Sequence, residues 1–390
     1  MNFYDEALEI KDELIQKRRY FHMNPELDFK LYNTSKKIKE FLDNEGIEYF
    51  DVAETGVCAT IRGREEGKTI GIRADMDALP LCDNKSCDYK STKEGMMHAC
   101  GHDAHMTIAL GVAKLLNKHK DKFKGTVRML FEPAEETTGG ATVMIKEGAL
   151  DNPNVDAIIG LHVSEDIPCG KIGIKYDVFN AASNPYKIVI KGQGGHGAHP
   201  ESTIDPIVIG TTVVNAIQTI VSRELPPTDA GLITVGYFHG GTSQNIIPEE
   251  VSLGGIIRTV KAEHREYVKK RLVEVVDGIV KSMRGKAEIT IEESYPCLYN
   301  NDNMVDIIKE SAEKVIGKEN ISMLKAPSMG VESFAYFSNE RPSAFYFLGT
   351  RNEEKGIIYP AHSTRFDIDE DALPIGVAIQ CEAALNFLNN

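Results

Sequence analysis

Short apolar runs of strand length recur through the first half of the chain, at residues 56–62, 69–74, 126–131 and 157–161. Between and around them, residues 33–44, 104–119 and 140–148 carry apolar side chains at helical spacing. Strands alternating with helices build an α/β domain whose sheet is covered on both faces. This alternation restricts the fold more than any other feature of the chain.

The pattern changes near residue 184. Strands are expected at 186–191, 232–239, 251–260 and 287–293, with helices at 205–223 and 262–283. That order, βαββαβ, is the split-βαβ plan of a small two-layer sandwich. After Tyr295-Pro296 the first pattern resumes, with a helix at 302–315, a strand at 343–348 and a helix at 370–388. The expectation is a discontinuous α/β domain with a central mixed sheet, residues 1–183 and 297–390, interrupted by a βαββαβ lid of residues 184–296. Insertion at a surface loop is tolerated because the loop ends lie close together.

Composition narrows the partners. Lys plus Arg number 44 against 58 Asp plus Glu, a formal net charge of −14. Such a surface repels phosphate backbones, which argues against nucleic acid or an anionic membrane as partner. The most apolar long stretch, 204–221, is broken by Asp205, Pro206, Asn215 and Gln218, so no membrane span is expected. The N-terminal MNFYDEALEIKDELIQKRR starts acidic and reads as one amphipathic helix, not a secretory leader. Seven cysteines, an odd number without zinc-finger or disulfide spacing, suit a reducing cytoplasm.

Chemistry gathers where strands end. Residues 70–74 run into Asp75-Met76-Asp77, residues 127–131 into Glu132-Pro133-Ala134-Glu135-Glu136, and residues 158–161 into His162. Open α/β sheets bind ligands outside the carboxyl ends of their strands. A fourth contributor is the segment from His98 to His105, which contains Cys100, His102 and Asp103. Thiolate and imidazole favour zinc, and carboxylate tolerates manganese. Gly101 lets the backbone bend between Cys100 and His102. His98 and His105 either orient the ligands or cap the helix, whereas His119 and His264 read as surface residues. The other six cysteines read as small buried hydrophobes. The adjacent carboxylates of Glu135 and Glu136 repel each other unless a cation sits between them. One glutamate would hold metal and the other a proton. A thiol enzyme built on Cys100 and a metal-dependent binding protein without turnover are the alternatives.

Several segments together resemble the metal-dependent amidohydrolases that cleave N-acyl amino acids, within a wider set of co-catalytic metallopeptidases. They are GIRADMDALP (71–80), MHACGHDAHM (97–106), PAEETTGGA (133–141), GLHV (160–163), KGQGGHGAHP (191–200), QNIIPEE (244–250), MGVESFAYF (329–337) and AHSTRFDIDEDAL (361–373). That group contains hippurate hydrolases, indoleacetyl-amino-acid hydrolases, N-acetyldiaminopimelate deacetylases and aminoacylases. The resemblance implies two divalent ions, manganese or zinc with cobalt or nickel as further options, held by Cys100, His102, Glu136, His162 and His362. It implies Glu135 as general base and Asp77 as the residue that orients the ligands. In the lid it implies His196 as oxyanion donor and Asn245 and Arg258 as the grip on the substrate's polar end. A homodimer through the lid is also implied, as is an N-acyl amino acid substrate, with a dipeptidase or carboxypeptidase as the nearest alternative. Ser333 and Thr364 depart from the family pattern, which commonly has Asp and Pro there.

Overall fold

The computed structural model describes residues 1–389. It divides into two units, one of Met1–Phe179, Tyr299–Ala326 and Ser333–Asn390, the other of Asn180–Leu298 and Pro327–Glu332.

The larger unit is built on a mixed eight-stranded sheet. Its order is Glu48–Val52, Gly56–Arg62, Thr126–Glu132, Thr69–Asp75, Ala157–Pro168, Ser343–Arg351, Ile172–Ile174 and Ile321–Met323. The four central strands, from Thr126–Glu132 to Ser343–Arg351, run parallel, and they pair antiparallel with Gly56–Arg62 on one side and Ile172–Ile174 on the other. Every residue of Thr69–Asp75 and Thr126–Glu132 is buried, which is why both read as mainly apolar runs, each with one arginine, Arg73 or Arg128. By the period of two, Ile70, Ile72, Val127, Met129 and Phe131 enter the main core, where helices His102–Lys118 and Ala372–Asn389 also bury side chains. On the opposite face Phe334 stacks on Phe345 at 4.9 Å between centroids.

The smaller unit carries a four-stranded antiparallel sheet ordered Gly231–Gly240, Glu250–Thr259, Ala182–Lys191, Lys286–Ile291. Helices Pro206–Thr219 and Ala262–Ser282 contribute to one core with Tyr186, Ile188 and Ile190, while Lys187 and Lys191 point to solvent. This is the one-sided alternation of an antiparallel sheet. Asp205 starts the first helix by accepting from the N–H groups of Ile207 and Val208 at 2.9 and 3.3 Å, with Pro206 in its first turn.

Some sequence expectations need correction. The N-terminal helix is two, Phe3–Glu9 and Lys11–Met23, with Ile10 between them. The strand expected to end before His162 continues to Pro168, because its partner Ser343–Arg351 is equally long. The helix expected to end at 223 widens over its last turn, Ile220–Glu224. Cys82 is exposed and Cys87 and Cys169 are half-buried, so only Cys58, Cys297 and Cys381 fit the packing role. His119 is buried rather than on the surface, and its Nε2 lies 2.8 Å from Glu6. His264 is also largely covered, 3.4 Å from Asp229.

Candidate metal centre

Sheet register assembles the site. Asp75 pairs with Glu132 at the ends of two parallel strands, and Arg73 pairs with Gly160. Side chains two apart share a face, so Arg73, Asp75, Glu132 and His162 lie on one side, opposite Ile72 and Ala74. Gly101 takes φ +85° just before the helix His102–Lys118, and a Cβ there would stand 2.2 Å from Cγ2 of Val163. Only glycine can make that turn, which leaves Cys100 before it and places His102 at the first helical position. Glu135 and Glu136 follow the left-handed Ala134, φ +57°. His362 is itself left-handed, φ +63°, and its N–H donates to the carbonyl of Ala99 at 2.8 Å.

The result is a set of interlocking donor groups: Cys100, His102 and His162; Cys100, Glu136 and His362; His102, Glu135 and Glu136; and Asp75, His102 and His105. Within each, one ligand atom per residue lies within 4.8 Å of the others. All five expected ligands and Glu135 therefore come together. Sγ of Cys100 is 3.3 Å from Nε2 of His162, whose Nδ1 donates to the carbonyl of Val163 at 2.6 Å. That bond leaves the His162 Nε2 lone pair available to a ligand.

The donors fit divalent cations. Both ring nitrogens of His102 and Oε1 of Glu136 are buried with no hydrogen-bond partner among the described residues. Buried polar atoms without partners are costly, and a cation would satisfy them. Burial works against charge on His102, but the carboxylates of Asp75 and Asp77 outweigh it and hold its pKa well above the ordinary value. Burial and the nearby Glu136 push the Cys100 thiol far up. Glu136 is held low because His362 and His102 overcome its burial. This surrounding is anionic and attracts positive charge.

Asp77 supports the centre from behind. Its Oδ1 accepts from the N–H of Glu135 at 2.9 Å and its Oδ2 from that of Glu136 at 3.1 Å. Nδ1 of His102 stands 3.5 Å away. His105 is spoken for, since its Nδ1 donates to Asp75 at 2.6 Å and its Nε2 accepts from the N–H of Val163 at 2.9 Å. Burial lowers its pKa to about 4, so it stays neutral. It orients Asp75 rather than offering a free nitrogen. His98 is buried, belongs to none of the donor groups, and has its pKa lowered by burial to about 3.

In the smaller unit, His196 and Asn245 are neighbours. His196 pairs with Ile246, and the carbonyl of Asn245 accepts from the N–H of Gly197 at 2.8 Å. Nδ1 of His196 accepts from the N–H of Ala198 at 3.1 Å, which puts its proton on Nε2. Arg258 sits apart from this pair, on the strand Glu250–Thr259. Its Nη1 is buried with no hydrogen-bond partner among the described residues.

Sequence reasoning passed over Arg73, Glu132 and a supporting role for Ser333. The signal for the first two was present: a charged residue inside an apolar run, two positions from Asp75, and a glutamate at the next strand's end. Arg73 donates to Glu132 and to Asp75, each at 2.7 Å, with all three side chains buried.

Comparison with known proteins agrees with this architecture. The sequence signature of peptidase family M20/M25/M40 matches residues 71–386. Thermostable carboxypeptidase 2 of Saccharolobus solfataricus is 39% identical over 390 residues, 99% of this chain and 98% of that protein. The N-acetyl-L-cysteine deacetylase of Bacillus subtilis is 38% identical over 98% of this chain and 89% of its own length. The crystal structure of a dinuclear metal-binding peptidase of the M20 family from Bacillus subtilis superposes with a TM-score of 0.85 at 33% identity, covering 98% of this chain and 99% of that one. The chain belongs to peptidase family M20/M25/M40 and is a metal-dependent hydrolase.

Proposed function

We propose that the protein hydrolyses the amide bond of N-acyl amino acids, releasing a carboxylic acid and the free amino acid. The observation that carries this reading is that two adjacent carboxylates, although close enough to share a cation, have different partners. Asp77 clamps both backbone N–H groups, Glu136 belongs to the group with Cys100 and His362, and Glu135 accepts from the N–H of Ser333 at 3.2 Å. A glutamate pair in a binding protein would not need one member held aside for a proton.

Cys100, His102, Glu136, His162 and His362 would hold the cations. Two divalent ions bound there, manganese or zinc by the donor chemistry with cobalt or nickel also compatible, supply the Lewis acidity that makes water nucleophilic and polarises a carbonyl. Glu135 takes the proton of the attacking water at its carboxylate and returns it to the leaving amide nitrogen. His196 donates from Nε2 to the oxygen that becomes negative. Arg258, a half-buried cation whose pKa is lowered by burial, pairs with the carboxylate of the amino-acid product, and Asn245 assists. Two copies of the chain associate through the lid, whose strand Gly231–Gly240 is an edge of its sheet among the described residues.

Peptide-bond cleavage is the second reading, supported by the carboxypeptidase relative. Both reactions cut an amide beside a carboxylate. The test is a panel of acetyl-, benzoyl- and indoleacetyl-amino acids and dipeptides, with manganese or zinc added. Faster release from the N-acyl amino acids is expected. Faster dipeptide cleavage would favour the peptidase, and no release with metals bound would favour a binding protein. Glu135→Gln should keep its metals and lose roughly 10²–10⁴ in kcat, and full turnover in that variant would remove Glu135 from the role.

A further inference from the structure

Ser333 stands where the family resemblance leads one to expect a carboxylate, and its side chain is completely buried. Its Oγ donates to Oε1 of Glu132 at 2.6 Å and accepts from Nη2 of Arg73 at 2.7 Å. Its backbone N–H donates to Oε1 of Glu135 at 3.2 Å. Glu132 is fixed in turn by Nε of Arg73 and by the N–H of Ala141, both at 2.7 Å. Arg73 also reaches Asp75 at 2.7 Å, and Asp75 takes Nδ1 of His105 at 2.6 Å. One serine therefore joins two systems: a buried chain of charges anchored in the sheet, and the carboxylate of Glu135.

We propose that Ser333 is a positioning residue for Glu135. Resting on the reading of Glu135 as general base, the inference is that the Oγ bonds to Arg73 and Glu132 fix where the Ser333 N–H points. That N–H then fixes Oε1 of Glu135, while Asp77 fixes the same residue's backbone. The residue is thus held at its backbone and at one carboxylate oxygen, and rotation of the side chain is restricted before substrate arrives. Preorganisation of this kind acts on the chemical step more than on binding, because a displaced base costs rate while the substrate contacts persist. A hydroxyl suits the position better than a carboxylate. An aspartate could still accept from Arg73 but could not donate to Glu132 while ionised, and it would bring a third negative charge beside Glu132 and Glu135.

The test is kinetic, using the manganese-loaded protein and the best-cleaved compound of the panel above. Ser333→Ala should lower kcat by about 10- to 100-fold and leave KM within about threefold. Metal content by elemental analysis should equal that of the unaltered protein. Ser333→Thr, which keeps the hydroxyl, should recover most of the loss. Ser333→Cys keeps the shape with a weaker donor and should fall about tenfold, so a poorly folding alanine variant does not remove the measurement. A kcat within threefold for Ser333→Ala, equal losses in the threonine and alanine variants, or a loss that tracks missing metal would each overturn the proposal. Glu135→Gln separates the two levels. Full turnover there overturns the base itself, whereas an inactive Glu135→Gln beside a fully active Ser333→Ala overturns only the positioning role.

Discussion

Asp77 grips Glu135 by its backbone: Oδ1 accepts the Glu135 N–H at 2.9 Å while Oδ2 takes the N–H of Glu136 at 3.1 Å. One buried carboxylate thereby sets the direction of two neighbouring side chains. Its pKa is raised by burial, with the nearby His102 imidazole only partly opposing that.

Replacing Asp77 by Asn keeps the shape but turns one acceptor into a donor facing an N–H. The expected outcome is a folded protein whose metal affinity falls by about 10- to 100-fold, as with other residues that orient ligands, with kcat falling alongside. Elemental analysis after dialysis against graded chelator checks the first effect. Unchanged metal retention would mean that Asp77 does not govern the ligands.

Gly101 carries a backbone requirement that no other residue meets. With φ +85° and Val163 2.2 Å from the position of a Cβ, Gly101→Ala is expected to lose about 2–4 kcal/mol of stability, combining left-handed strain with overpacking. Denaturant unfolding of the metal-free protein measures this without interference from bound ions.

Away from the metal centre, Arg18 is fully buried and pairs with Asp103 at 2.8 Å and Asp367 at 2.7 Å. Arg18→Ala leaves buried carboxylates short of a cation and should cost about 3–5 kcal/mol. Acid should expose the same network. Burial would raise the Asp367 pKa, but Arg18 and Lys85 outweigh it and bring it down to about 2. In the unfolded chain the group titrates near 3.9. A carboxyl lowered by folding contributes stability above the unfolded value and loses it as pH falls through the folded one. About 2 kcal/mol should therefore disappear between roughly pH 4 and pH 2. Thermal unfolding across that range is the measurement, and Arg18→Ala should flatten its slope.

Metal binding should release protons. Without metal, the Cys100 thiol and the His102 imidazole both hold protons tightly, the first because of burial and the second because Asp75 and Asp77 outweigh burial. A cation must displace them, so affinity should rise by about tenfold or more per pH unit near neutrality. Calorimetry in buffers of different ionisation enthalpy counts the protons. A pH-independent affinity would mean that neither group is a ligand.

Much of the fold was readable without coordinates. The mainly apolar runs at 69–74 and 126–131 belong to strands buried on both faces, and the switch to one-sided alternation near residue 184 accompanies a separate sheet. Candidate donors stood out as well, since Cys100 and His102 flank a glycine and Glu136 lies just past the strand Thr126–Glu132, while the set of five ligands is what the family resemblance implies. Segment lengths were harder, because His162 lies inside a strand whose extent is set by its partner, Ser343–Arg351.

Local pattern, then, determined which segments become strands and helices and which residue types could bind a metal, because burial periodicity and donor chemistry are properties of neighbours in sequence. Only the tertiary structure decided how the donors are held. Ser333 meets Arg73 across 260 positions, Asp77 reaches Glu135 across 58, and His105 spends both nitrogens on Asp75 and Val163. Such partnerships depend on which distant chain segment covers a sheet face. No spacing along the chain encodes that, since a buried polar group takes whichever partner the packing brings within hydrogen-bonding distance.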